Sequence, residues 1–378
     1  MQVRRLAYRR GTGWSHALPA LDSPTTLVLT FGGSGLVDVP EVFADLQAAY
    51  PNSTHLGCST SGEIHGTEIH DDSLSVAVVR FERTRLKSHF AHVAASDESY
   101  AAGREIAGQL AQDDGLRAVF VLSDGLQVNG SQLVRGFNDV LPPAVVVTGG
   151  LAGDGARFRA TWNLHHGRPV TGIVGAVGFY GDAIRIGHGS KGGWDIFGPE
   201  RRITKSAANV LYELDGKPAL RLYKEYLGDR AAGLPATGLL FPLALRTAAS
   251  SEKRLVRTIL AVDETTQSMT FAGDVPQGSL VQLMRANFDR LIEGAGAAGS
   301  ITAPANGQNP VLAIAISCVG RRLVLGERSE EEVEAALAAL PAGTEQVGFY
   351  SYGEISPYAP GSCDLHNQTM TLTTLHEV

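Results

Sequence analysis

The run TLVLTFGG, Thr26 to Gly33, is an almost unbroken apolar and β-branched stretch that closes on paired glycines. A run of this kind reads as a strand covered on both faces, as in parallel sheets. The residues after it supply a crossover. Val39, Val42, Phe43, Leu46 and Tyr50 recur at helical spacing, Asp38 stands in a capping position with Glu41 three residues on, and Pro51 stops the pattern. STHLGCSTSGE, from Ser53 to Glu63, then reads as a returning strand and its loop. Strand, helix and strand make a β-α-β unit whose two strands run parallel.

The same text occurs twice more. RAVFVLSDG (Arg117 to Gly125) precedes a helix capped by Asn129, apolar at Leu133, Val134, Phe137 and Leu141 and stopped by Pro142 and Pro143, after which AVVVTGGLAGDG returns. VLAIAISCVG (Val311 to Gly320) precedes SEEEVEAALAAL, with Ser329 and Glu332 spaced as a capping box, and EQVGFYSYGEIS returns. Between the copies, SLSVAVVRF with LKSHFAHV, and TGIVGAVGFY with DAIRIGHGS across a Gly181-Asp182 turn, read as antiparallel hairpins. MTLTTLH near the end reads as a single strand. Helices are expected over Glu98 to Ala111, over Lys205 to Tyr226 in two pieces, and over Ser279 to Glu293, with a strand meander after Thr237 and a flexible connection from Gly294 to Pro310. The fold class is α/β: repeated β-α-β units with added antiparallel hairpins in mixed sheets. Two domains are expected, residues 27–226 and 227–378.

Composition bounds the function. With 378 residues, 44% apolar and 19% charged, the chain is long enough for two or three packed cores. A net charge of −7 with dispersed basic residues argues against a nucleic-acid partner. No apolar stretch approaches the ~20 residues of a spanning helix or forms a signal region, so no membrane insertion and a cytoplasmic location are expected. Cys58, Cys318 and Cys363 are then expected as thiols.

Ligands of parallel sheets lie beyond the carboxyl ends of the strands, and here those ends are glycine-rich. STSGEI, TGGLAGDG and SYGEI stand at equivalent places, and their glycines, hydroxyls and carboxylates suit a ligand that approaches the backbone. Ordinary turn chemistry accounts for any one of them; three together favour a binding cleft. Cys58 at a strand end reads as a buried small residue unless a base stands beside it. No nucleophile elbow, Walker loop or dinucleotide fingerprint follows a strand, and the chain is not expected to be an enzyme. Of the histidines, His366 with Cys363 forms a C-x-x-H pair that could ligate a metal or haem, or close the last strand onto the sheet.

LGCSTSGEI, VTGGLAGDG, GAVGFYGDAIRIGHGSKGGW and VGFYSYGEISPYAPGSCDLHNQTMTLTTL together resemble the FIST family, the "F-box and intracellular signal transduction" proteins. The resemblance spans nearly the whole chain. It implies a bacterial sensory module that binds a small ligand and signals to a partner histidine kinase or cyclic-dinucleotide enzyme. The chain looks like the stand-alone members that bind haem and sense nitric oxide. Carried onto matching positions, the resemblance implies ligand contacts from Cys58, Ser59, Ser61, Glu63, Gly149, Gly150, Asp154, Tyr352 and Glu354, and iron ligation by His366 with Cys363 as the second candidate. The competing reading is a sensor of a small polar metabolite such as an amino acid, held in the same glycine-rich cleft.

Overall fold

The computed structural model describes residues 1–247, 254–302, 311–359 and 361–378. Each expected unit is present with its strands parallel and in the expected order. Thr26–Gly33 pairs with Thr54–Thr60, Leu116–Ser123 with Val146–Leu151, and Leu312–Cys318 with Glu345–Ser351. An antiparallel third strand flanks each pair: Ser73–Arg80, Ile173–Tyr180 and Met370–Glu377.

The sheets, however, are built by exchange between units. The hairpin after the first return strand, Glu63–His65 with Glu68–His70, adds to the third unit's sheet. The hairpin after the second, Asn163–His165 with Arg168–Val170, adds to the first, and Gly353–Ala359 with Ser362–His366 adds to the second. The third strands behave alike. Ser73–Arg80 and Arg85–His92 lie in different sheets, as do Ile173–Tyr180 and Ile184–Lys191, so neither expected hairpin forms; each chain segment crosses to the next unit instead. The result is a ring of three sheets related by a pseudo-threefold axis.

Inward-facing residues of all three sheets share one apolar core, in which Leu29, Phe31, Phe120, Leu122, Ile314 and Ile316 meet, and the rings of Phe31 and Phe349 stack at 4.8 Å. Helices cover the outside: Pro40–Ala49 on the first sheet, Ser99–Leu110 and Gly130–Asn138 on the second, Phe288–Thr302 and Ser329–Ala338 on the third. Asn129 caps its helix as expected, accepting from the amides of Ser131 and Gln132. Asp38 and Ser329 do not cap theirs; the first helix opens on Pro40, and Glu332 is drawn inward to a buried arginine.

Between the second and third units the chain forms a separate curled sheet over residues 195–285 with the helix Ala219–Leu227. The expected helix from Lys205 is therefore two strands, Asp195–Ala207 and Val210–Leu214, before that short helix; the one from Ser279 is a strand, Leu280–Arg285, before Phe288–Thr302. The expected connection at Gly294 is helical to Thr302, and 303–310 lie outside the described residues. This insert has its own core, where Ile203 and Leu211 pack with Phe241, Met269 and Phe271, so the boundary read near Tyr226 falls within one packing unit.

Gly57, Gly149 and Gly348 occupy the same place in the three return strands, facing Thr30, Val121 and Ala315. A Cβ at any of them would fall on the facing carbonyl oxygen. Alanine at each is expected to destabilise by about 1–3 kcal/mol or more, as overpacking does. Gly108, on a helix with open space beside it, is the control: Gly108→Ala should stabilise by roughly 0.5–1 kcal/mol. Urea unfolding of the four variants measures both directions.

Candidate functional site

The loops at the strand ends meet on the axis. The amide of Gly153 donates to the carbonyl of Ser59 at 2.9 Å, that of Ser61 to Tyr350 at 2.8 Å, and that of Tyr352 to Leu151 at 3.2 Å. These bonds link equivalent positions of the three units and close a ring. The sequence reading thus identified residues that come together, and the geometry gives them different work.

Cys58 points into the shared apolar core with no exposed surface, and burial pushes its thiol well above the ordinary range. It does not line a cleft. The Ser59 hydroxyl accepts from the Trp162 amide at 3.0 Å and that of Ser61 from the Gly155 amide at 3.0 Å. Gly149 and Gly150 lie within the second return strand, paired with Ile355 and Glu354. Arg322 closes the first loop from outside, donating to the Ser61 carbonyl at 2.7 Å and forking onto Asp71.

Glu63 and Glu354 are equivalent and buried. Glu63 accepts from the hydroxyl of Thr60 and from the amide and hydroxyl of Ser73; Glu354 accepts from Ser351 and from the amide and hydroxyl of Thr369. Burial, only partly offset by these donors, raises Glu63 to about 7 and Glu354 to about 8. Both carboxylates fasten the strand ends, their oxygens engaged by these donors, where the expectation was of cleft walls.

Asp154 and Tyr352 meet. The Tyr352 hydroxyl donates to Asp154, whose carboxylate also accepts the amides of Phe158, Arg159 and Ala160 at 2.8–2.9 Å. Burial works against the charge, but the bonds from Tyr352 and the three amides outweigh it and hold Asp154 below the usual range.

A cavity adjoins the Glu354 network at the seam between ring and insert. Its volume is about 350 Å³, and His188, Ser190, Lys191, Trp194, Arg254, Val256, Met284, Ile301, Tyr358, His366 and Thr369 line it. A second hollow of about 260 Å³ shares His188 and Pro357 with it and includes Cys363. The two metal candidates therefore flank His188, the histidine within the run DAIRIGHGS. Its signal is the flanking text GHG: helix Phe288–Thr302 lies against Gly187 and Gly189, where side chains would collide with it. Burial lowers the His188 pKa, so the imidazole is neutral at pH 7. His366 is buried, its Nε2 bonded to the Ser356 carbonyl at 2.9 Å, and its ring is parallel to that of Tyr358. Cys363 exchanges backbone bonds with the Asn138 amide group. Among the described residues no cluster of three or more His, Cys, Asp or Glu could hold a bare metal ion.

The cavity wall is anchored. Arg321, fully buried, forms an ion pair with Glu332 at 2.6 Å and donates to the carbonyls of Gly192, Leu291 and Gln368; Trp194 donates to that of Gln368 at 2.8 Å. From Ser190 on the wall, hydroxyls run inward through Thr371 and Thr369 to Glu354.

Two family models match the chain, the FIST N domain over residues 26–217 and the FIST C domain over residues 219–357. An uncharacterized protein of Methanocaldococcus jannaschii is 24% identical over 357 residues, covering 83% of this chain and 66% of that protein, so the chain spans slightly less than two thirds of its length. A solved cyanuric acid hydrolase from A. caulinodans is 14% identical with a TM-score of 0.19, over 78% of this chain and 99% of that one, too slight a likeness to bear on the chemistry. No helix among the described residues is long and apolar enough to cross a membrane.

The buried acids give a signed pH dependence. The unfolded chain releases these protons near the ordinary 4.5 and the folded chain only near 7 and 8, so their contribution to stability is full below about pH 4.5 and declines up to about pH 8. Urea unfolding of Glu354→Gln against the parent across pH 5–8 isolates this term: the variant is expected to show the shallower decline. Equal slopes would mean that Glu354 ionises normally.

Proposed function

This chain belongs to the FIST family, whose domains carry a sensory, ligand-binding role in signal transduction, and from that premise we propose that its ligand lodges in the seam cavity. One observation carries the reading: ring and insert both contribute to the walls, so a bound molecule contacts both and favours one arrangement of the two. That differential contact is what a sensor needs to convert occupancy into a changed surface.

In this reading the ligand is haem, and the chemistry of the lining residues supports it. His188 offers a neutral imidazole and His366 is a second histidine on the wall; Lys191 and Arg254 suit carboxylates; Trp194, Val256, Met284 and Ile301 suit a flat apolar ring. Bound haem would supply the iron that takes up nitric oxide. The protein's own residues orient the ring, exclude water and hold the imidazole neutral. The partner class in this reading is a histidine kinase, with a cyclic-dinucleotide enzyme as its counterpart. A binding role rather than catalysis is supported by the sealed Cys58 and by the full sets of donors around Glu63 and Glu354.

Titration of the purified protein with haemin is expected to give a saturable, one-to-one Soret band that shifts with nitric oxide and is lost in His188→Ala or His366→Ala. Retention of the band in both variants would remove these histidines as iron ligands. With no specific band, thermal stabilisation by an amino acid, abolished in Arg254→Ala, would replace haem by a carboxylate-bearing metabolite in the same cavity.

A further inference from the structure

A further cleft lies between the second unit and the insert, about 270 Å³ in volume, and shares no lining residue with the seam cavity. We propose that it is a separate binding site for a small, planar, uncharged aromatic molecule, with the stacked rings of Phe158 and Tyr352 as its platform.

Three large apolar side chains from separate segments stand exposed around this cleft: Leu126 at 40%, Phe158 at 45% and Leu260 at 42%. Scattered exposed apolar residues need no explanation, but convergence of three upon one concavity marks a surface that something covers. Leu126 follows the second unit's outgoing strand, Phe158 belongs to its return loop, and Leu260 comes from the insert.

Phe158 is also held there. Its φ is 52°, a left-handed value that costs a bulky residue free energy. The Asp154 carboxylate fixes that turn through the amides of Phe158, Arg159 and Ala160, and the Tyr352 hydroxyl is bonded to the same carboxylate. The two rings consequently lie nearly parallel, 15° apart with centroids at 4.5 Å. A buried charge and a strained backbone thus sustain an aromatic pair whose inner ring, Tyr352, is buried and whose outer ring, Phe158, is exposed. An offset stack prolonged by a third ring would gain both apolar burial and the geometric preference of aromatic faces.

The walls choose the charge of the occupant. None of the lining residues is ionised. Both asparagines and the tyrosine are committed: the Asn209 amide donates to the Phe271 carbonyl at 2.8 Å, Asn129 caps its helix and donates to Asp274, and the Tyr352 hydroxyl is bonded to Asp154. Behind the wall stand two carboxylates, Asp154 and Asp274, and one guanidinium, that of Arg257 against Gly273; the balance is negative, and no lining residue offers a cation to hold an anion.

The test is a fluorescence titration of the full chain with N-phenyl-1-naphthylamine, which is uncharged, beside 1-anilinonaphthalene-8-sulfonate, the same skeleton with an anionic group. Expected is saturable binding of the uncharged probe, weakened about fivefold or more by Phe158→Ala and by Leu260→Ala, with the anionic probe bound at least about tenfold more weakly. Leu260 is on the surface of the insert, so its variant stays readable if Phe158→Ala disturbs its loop. Leu323→Ala, an exposed apolar residue elsewhere, should change nothing. Non-saturable binding, equal affinity for the anionic probe, or binding indifferent to both cleft variants would overturn the proposal.

Discussion

The structure rests on an exchange: no unit completes its own sheet. Each return strand would be an open edge, with a row of unpaired amides and carbonyls, until a hairpin from another unit covers it. The hairpins pass in one sense around the axis and the strands Arg85–His92 and Ile184–Lys191 in the other, and the ring closes with the three amide-to-carbonyl bonds of Gly153, Ser61 and Tyr352. The chief constraint is therefore collective. The common apolar core exists only when all three sheets are present, which explains why the loops richest in apparent chemistry are so heavily engaged in holding strands together.

Within this frame, buried charge is placed where the ring meets the insert. Arg321 and Glu332 are desolvated together, and removal of either partner from such a pair typically costs about 3–5 kcal/mol because the other is stranded. Arg321 also spends its remaining donors on backbone carbonyls, among them that of Gly192 in the wall of the seam cavity. Arg257 does related work from the insert, donating to the carbonyls of Asp274 and Leu365 and so joining the curled sheet to the hairpin that carries His366. The wall is thus held both by its own side chains, Trp194 and His366 among them, and by arginines that stand behind it.

Much of this was legible in the amino-acid order. Apolar runs, helical spacing and the Asn129 cap locate the three units, because burial on both faces and crossover connections leave a clear imprint. Strand partners are less legible. A Gly181-Asp182 turn shows that the chain reverses, but whether it stays in one sheet depends on a neighbour far away in sequence. The text from Lys205 has apolar residues compatible with either period, and the curled sheet decides in favour of strands. At the site, Asp154 and Tyr352 proved to be partners, since short polar loops at equivalent strand ends must converge. Glu63 and Glu354 carry the same signature, yet their neighbouring hydroxyls consume them. The Ser329 and Glu332 spacing misleads for a comparable reason: Arg321 claims the glutamate.

The second unit departs from its sisters in one telling way. Where they carry a glutamate between two hydroxyls, it has Asn163 with Ala152 and Ile173 at the flanking positions, and neither atom of the Asn163 amide has a hydrogen-bond partner although the residue is buried. Its loop is instead the long one that reaches Asp154 and Phe158. In the second unit the fastening passes to buried Asp124, which accepts from the Thr161 hydroxyl at 2.9 Å and the Gly172 amide at 3.2 Å, and the loop between is left to carry the aromatic pair. Specialisation by repetition of this kind lets a chain acquire a new surface without reopening the architecture that supports it.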